Sequence, residues 1–173
     1  MPPTIHTPRL TLIPCDPELL QSAIFSSETL SEHLGIAVAE GWTEFGTGPL
    51  QYALDKITEN PSDLGWMSYF PVHRQEGVFL GSCGFKGSPT AEGTVEIGYE
   101  IAPAYRNQGL ATEVAQALVS HAFASGWVKS VLAHTLAEEN ASARVLRKCG
   151  FVKVDEYNDP DDGPVWRWEL TPP

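Results

Sequence analysis

The segment Tyr105-Arg106-Asn107-Gln108-Gly109-Leu110-Ala111-Thr112 carries the clearest chemical signal in the 173-residue chain. It joins an alternating, strand-like stretch to one with helical periodicity. Gly109 lets a ligand approach the backbone closely, and the first N–H groups of a helix have no partner inside it. Those donors, the positive helix end and the Arg106 guanidinium make an anion site suited to a diphosphate. The turn is not a Walker A loop, because no Gly-Lys-Ser/Thr follows, and it lacks the Gly-x-Gly-x-x-Gly of a dinucleotide site. Cys15, Cys83 and Cys149 are widely spaced, with no CxxC pair and no histidine at metal-ligand spacing, so neither disulfides nor a metal site is expected.

The elements that must position this turn follow from periodicity. Arg9 to Ile13 alternates and stops at Pro14, a first strand. Asp16-Pro17 has the cap and first-turn chemistry of a helix running to about Ser26. A second helix is expected over 50–58, with 35–49 an irregular loop between them. Strands are expected over 66–72 and 78–85, joined at Glu76-Gly77. Thr94 to Ile101 alternates, with Val95, Ile97, Tyr99 and Ile101 on one face and Thr94, Glu96, Gly98 and Glu100 on the other. A helix follows from Gly109 to Ala124, then a strand over 128–135 and a short helix from Ser142 to Lys148. Two last strands, 151–154 and 165–170, pair across the turn at Asn158–Gly163. With no repeat and no linker, the reading is one α+β domain over 1–173.

A chain of this length can bury an adequate core, and 42% hydrophobic residues exclude a disordered chain. The net charge of −11 argues against nucleic acid or an anionic membrane as partner. The charge is unevenly spread: residues 106–153 sum to +3 and the remainder to −14. A basic segment on an acidic chain is what one bound polyanion requires. No signal peptide or apolar run of membrane-spanning length is found, so the expected compartment is cytoplasmic.

The Arg106-x-x-Gly109-x-Ala111 run resembles the acyl-CoA pyrophosphate loop of the GNAT family of N-acetyltransferases. Val95 to Ile101 resembles that family's fourth strand, and Asn140 to Phe151 its second signature, a short helix ending in Gly-Phe. Thr7-Pro8-Arg9-Leu10 is similar to the opening of the branch containing the ribosomal-protein N-terminal acetyltransferases. The main likeness covers residues 94–154. Two positions depart from the pattern: Glu139 stands where that branch commonly has Asn, with Asn140 one step later, and Leu146 stands where many members carry a proton-donating Tyr.

The resemblance implies a mixed, mostly antiparallel sheet of about seven strands, splayed between its fourth and fifth, with about four flanking helices. It implies acetyl-CoA as cosubstrate, no metal, and direct attack by an amine on the thioester. Pantetheine then lies along the fourth strand against backbone groups of Tyr99 and Ile101. The phosphates meet Arg106, Asn107, Gln108, Gly109, Leu110, Ala111 and Thr112, with Asn140 and Arg147 as further cofactor contacts; Arg144 and Lys148 are alternatives for the ribose phosphate. Ser142 either reaches the sulfur as proton donor or simply caps its helix. Glu96 either accepts the amine proton or is a structural carboxylate. His134 has a side chain suited to base work or a structural place on its strand. Glu156, in the loop after the sixth strand, is a further base candidate.

For the acceptor, Trp42, Phe45, Trp66 and Tyr69 either wall a pocket or are plain core. The expected acceptor is a protein or peptide N-terminal α-amine. A small amine such as a polyamine or aminoglycoside is the alternative, as is a CoA-binding sensor without catalysis; a nucleotide-binding regulator is a more distant fourth. Acids at 155–169 bordering the acceptor mouth favour a cationic amine. A monomer or homodimer is expected.

Overall fold

The computed structural model describes residues 2–44 and 46–173. Its elements, in chain order, are β1 (Ile5–His6), β2 (Leu10–Pro14), α1 (Pro17–Phe25), α2 (Ser27–Leu34), β3 (Ala37–Val38), α3 (Gly48–Glu59) and β4 (Ser68–His73). There follow β5 (Val78–Phe79), β6 (Gly81–Phe85), β7 (Thr94–Ile101), α4 (Leu110–Ala124), β8 (Ser130–Leu136), α5 (Ala141–Lys148), β9 (Val152–Asp159) and β10 (Gly163–Leu170). Ten strands and five helices among the described residues exceed the expected seven and four, while the α+β class holds.

The additions have local causes. Asp16 caps α1 by accepting from the Leu19 amide at 2.8 Å, as its sequence indicates. Ser26 then breaks that helix and caps α2 through Thr29, and Gly35 (φ 71°) ends α2. Only Leu30 of α2 is buried, so the stretch has no apolar stripe to announce it. β3 falls inside the stretch expected to be an irregular loop, and the strand expected over 78–85 breaks at Leu80 into β5 and β6. β9 runs on to Asp159, which places Glu156 in a strand and not in a loop.

The main sheet runs β1-β2-β4-β6-β7-β8-β10-β9. Along this path the only parallel pair is β7–β8, which α4 connects by crossing one face. β7 and β8 pair only at Thr94–Ser130, Val95–Val131 and Glu96–Leu132, and then separate. Beyond that point β7 stays paired to β6 through Ile101, and β8 to β10 through Leu136. Two half-sheets therefore part along a V, which is the splay anticipated from the fourth and fifth strands.

A core lies on each face. Leu110, Val114 and Leu118 of α4 and Leu146 of α5 pack on Val95, Ile97, Val131 and Trp168. The other core joins Leu19, Leu20, Leu50, Ala53 and Ile57 of α1 and α3 to Phe70 and Phe79. Trp168 is fully buried, and its indole N–H donates to Thr135 Oγ1 at 3.0 Å. Each such large apolar side chain contributes about 2 kcal/mol by leaving water, which fixes both half-sheets against the helices and keeps the V open.

Candidate active site

α4 starts at Gly109 (φ 80°) with no side-chain cap, whereas α1, α2 and α5 are capped by Asp16, Ser26 and Asn140. The amides of Leu110, Ala111 and Thr112 are thus left to an external acceptor at the positive end of a 15-residue helix. Asn107 also has positive φ (61°), so the preceding turn is bent to bring its backbone around one point. These features fit a diphosphate. The Arg106 side chain, expected at that anion, is turned elsewhere: Nε donates to the Ile101 carbonyl at 2.8 Å and Nη2 pairs with Glu44 at 3.1 Å. Arg9 is the cation found against Gly109, with Nη2 3.4 Å from where a Cβ on that glycine would sit.

Strand alternation exposes the inner edge of β7. The Glu96 carbonyl and the Ala102 amide are spent toward β6. The backbone groups of Ile97, Tyr99 and Ile101 therefore face the opposite edge, where β8 has departed. That edge can accept an extended pantetheine chain at Tyr99 and Ile101. Arg106 already holds the Ile101 carbonyl at the outer end.

Across the V, the Tyr99 hydroxyl lies 3.0 Å from Ser142 Oγ. Burial pushes the Tyr99 hydroxyl up to about 12, against the lowering effect of its hydrogen bond with Ser142, so the phenol keeps its proton. Asn140, placed among the cofactor contacts, caps α5: its Oδ1 accepts from the Ala143 amide at 2.8 Å. Ser142 is thereby released from the capping role. Leu146 is entirely buried.

On the opposite face of the sheet, Glu96 is shared between two side chains. Lys86 Nζ is 2.5 Å from Oε2 and His134 Nδ1 is 3.1 Å from Oε1. The structure thus brings Glu96 and His134 together, and adds Lys86, which its sequence context did not single out. Glu156 does not join them. Its strand partner is Trp166, on the face alternate to His134, and its Oε1 accepts from the Trp166 indole at 2.7 Å.

Arg147, expected at the cofactor, bonds Glu139 at 2.5 Å and lies 4.9 Å from the Trp168 ring centre. Hydrogen bonding to Arg147 holds the Glu139 carboxyl below its ordinary range. The unusual Glu139 therefore has a partner on the helix that follows it. Trp42 and Tyr69 are core, with Trp42 edge-on to Phe79 and donating to Ser27, and Tyr69 donating to the Gly65 carbonyl. Trp66 packs on Phe85, and Phe45 lies outside the described residues. A separate open groove of about 700 Å³ lies between residues 3–9 and α4; it shares Gly109 and Thr112 with the loop and includes none of Glu96, Tyr99, His134 or Ser142.

Among the described residues no group of three or more His, Cys, Asp or Glu is arranged to hold a metal, and no helix is long and apolar enough to cross a membrane.

Comparison with known proteins agrees with this geometry. Residues 9–152 match the family profile of the acetyltransferase (GNAT) domain. The uncharacterized N-acetyltransferase YjdG of Bacillus subtilis is 27% identical over 158 residues, covering 88% of this chain and 94% of that protein. A ribosomal L7/L12 alpha-N-protein acetyltransferase solved with coenzyme A superposes with TM-score 0.73 at 15% identity, over 98% of both chains. A spermidine N-acetyltransferase chimera from Vibrio cholerae superposes at 0.69 and 14% identity, over 94% and 95%. The two structures speak for the fold, and the profile, spanning most of the chain, for the family. The bent turn before α4 and the parted strands β7 and β8 are accordingly those of an acetyl-CoA-dependent N-acetyltransferase: the chain belongs to the GNAT family.

Proposed function

We propose that the chain acetylates a cationic primary amine, with a protein or peptide N-terminal α-amine as the first choice of acceptor. The observation that carries this reading is the ion pair between Glu96 and Lys86, in which an ammonium already rests 2.5 Å from a half-buried carboxylate beside the opening of the V. An acceptor amine is the same chemical group, and in this reading Glu96 binds it and takes its proton, with His134 as partner on the other carboxylate oxygen.

Acetyl-CoA supplies an acetyl thioester, whose departing thiolate needs a proton or a donor. Ser142 is the donor on that side. The Tyr99 hydroxyl and Ser142 Oγ share a hydrogen bond that either can donate, and donation by Tyr99 leaves the serine's own O–H free for the sulfur. Tyr99 thus brings from β7 the phenol that Leu146 cannot offer from α5. The inner edge of β7 at Tyr99 and Ile101 binds pantetheine, and the amides of 109–112 bind the phosphates.

A small polyamine is the second reading. It is favoured by the carboxylates beside the site: Asp155, paired with Arg167 across from His134, and Asp159, whose carboxyl lies below its ordinary range through the amides of Asp161 and Asp162 and the nearby His134. The test is a panel of peptides with free α-amines, polyamines and aminoglycosides, with release of CoA thiol as readout. Turnover of peptides supports the first reading, turnover confined to polyamines the second, and none with any amine despite acetyl-CoA binding the sensor.

A further inference from the structure

We propose that residues Thr7 to Arg9 act, through Glu113, as a clamp that shapes the phosphate loop, with Arg9 as its positioning residue. The inference rests on the acetyl-CoA reading of that loop. The turn is sharply bent, with Asn107 at φ 61° and Gly109 at φ 80° within three residues. Glycine and asparagine both tolerate the left-handed region, so the residue types allow the bend without fixing which way the Gln108 peptide faces.

That facing is set from about a hundred residues away in sequence. Arg9 Nη1 donates to the Gln108 carbonyl at 2.9 Å. In a trans peptide the carbonyl of one residue and the N–H of the next point in opposite directions. Holding the Gln108 carbonyl toward Arg9 therefore turns the Gly109 N–H away from Arg9, to the side where the amides of the helix end stand free.

Arg9 is itself fixed. Its Nε donates to Glu113 Oε1 at 2.9 Å and its backbone N–H to Oε2 at 2.9 Å, and Thr7 Oγ1 donates to Oε2 at 2.5 Å. The Glu113 side chain is only 12% exposed. One carboxylate in the first turn of α4 thus ties the segment before β2 to the helix that bears the site. The pairing also serves electrostatics. An unpaired carboxylate one turn from a bound diphosphate repels it, and the Arg9 guanidinium neutralises that charge in place. This gives a physical role to the Thr7-Pro8-Arg9-Leu10 opening.

The test is calorimetric titration of CoA and of dephospho-CoA into the full chain and its variants. Arg9→Ala is expected to weaken both ligands equally, by about tenfold or more. Glu113→Gln costs less, and adding it to Arg9→Ala recovers part of the loss, because the repelling carboxylate is gone. In steady state the Arg9→Ala effect falls on KM for acetyl-CoA and not on kcat. Unchanged affinity in Arg9→Ala overturns the clamp, and so does a loss that Glu113→Gln does not relieve, which makes Arg9 a direct phosphate ligand. A loss confined to CoA does the same by pointing to its 3′-phosphate. Should Arg9→Ala not fold, Arg9→Lys keeps the charge without the planar fork and reads out the same comparison. Failure of the unaltered chain to bind CoA sinks the cofactor reading instead, so the two failures are distinct.

Discussion

Tyr99 of β7 and Ser142 of α5 meet at 3.0 Å across the gap where β7 and β8 part. Tyr99→Phe removes the hydrogen bond that orients the serine and leaves the ring in place. A fall in kcat of roughly tenfold is expected, the worth of one hydrogen bond. Ser142→Ala removes the donor itself, with a fall of roughly 100-fold. Because the phenol acts through the serine, the double variant is no slower than Ser142→Ala alone. Additive losses show that Tyr99 works independently. The Tyr99 hydroxyl titrates only near 12, so Tyr99→Phe leaves the shape of the kcat profile unchanged between pH 6 and about 10.

Lys86 occupies one oxygen of Glu96 with an ammonium of the kind the acceptor presents. Its side chain is 59% exposed, so the pair is worth about 1 kcal/mol at most and an incoming amine can displace it. Lys86→Met removes this internal competitor together with a like charge. KM for the acceptor is expected to drop by up to about fivefold, with KM for acetyl-CoA unmoved. A rise in acceptor KM shows instead that Lys86 helps hold the acceptor. Glu96→Gln lowers kcat by roughly 100-fold if the carboxylate is the proton acceptor, and full activity in that variant assigns the base elsewhere.

Where local chemistry and tertiary demand agree, the sequence was readable. Thr94–Ile101 alternates because one face packs on α4 and the other does not, and its bounds are those expected. Asp16 and Pro17 state the start of α1 outright. α2 was not legible, since a helix that buries one leucine has no period to detect. The site divides the same way. The glycine turn, Glu96 and His134 lie on elements whose register fixes the way they face. Arg9, Lys86 and the Tyr99 hydroxyl owe their places to pairings across the fold. The Arg106 side chain turns to the Ile101 carbonyl and Glu44, which spacing alone cannot foretell for a long side chain.

Asn140 and Ser142 separate cap from chemistry. Asn140→Ala removes the acceptor for the Ala143 amide and is expected to cost about 1 kcal/mol, which for a chain of this size lowers Tm by about 2–4 °C. Ser142→Ala leaves that cap intact and takes only the partner of the Tyr99 hydroxyl, so its Tm should fall no further than that of Asn140→Ala while its kcat falls. The reverse pattern, a stable Asn140→Ala and an unstable Ser142→Ala, hands the cap back to the serine.

Glu113 makes stability depend on acid. Burial raises its carboxyl, but hydrogen bonds from Thr7, the Arg9 amide and the Arg9 side chain, with the Arg9 charge, bring the net shift below the ordinary value. A carboxyl whose folded pKa is depressed contributes stability that is complete above its unfolded pKa, near 4.5, and is lost as pH falls through the folded value. Urea unfolding of the unaltered protein should therefore lose stability relative to Glu113→Gln as pH drops below about 4.5, the two curves running parallel from pH 6 to 8. Because the Arg9 side chain that bonds Glu113 through Nε also holds the Gln108 carbonyl through Nη1, loop and fold share this proton. Arg9→Ala removes the side-chain hydrogen bond and the charge while keeping the backbone amide. It should therefore shrink the acid-dependent difference that Glu113→Gln makes. An undiminished difference means that Thr7 and the backbone, not the Arg9 side chain, hold the carboxylate.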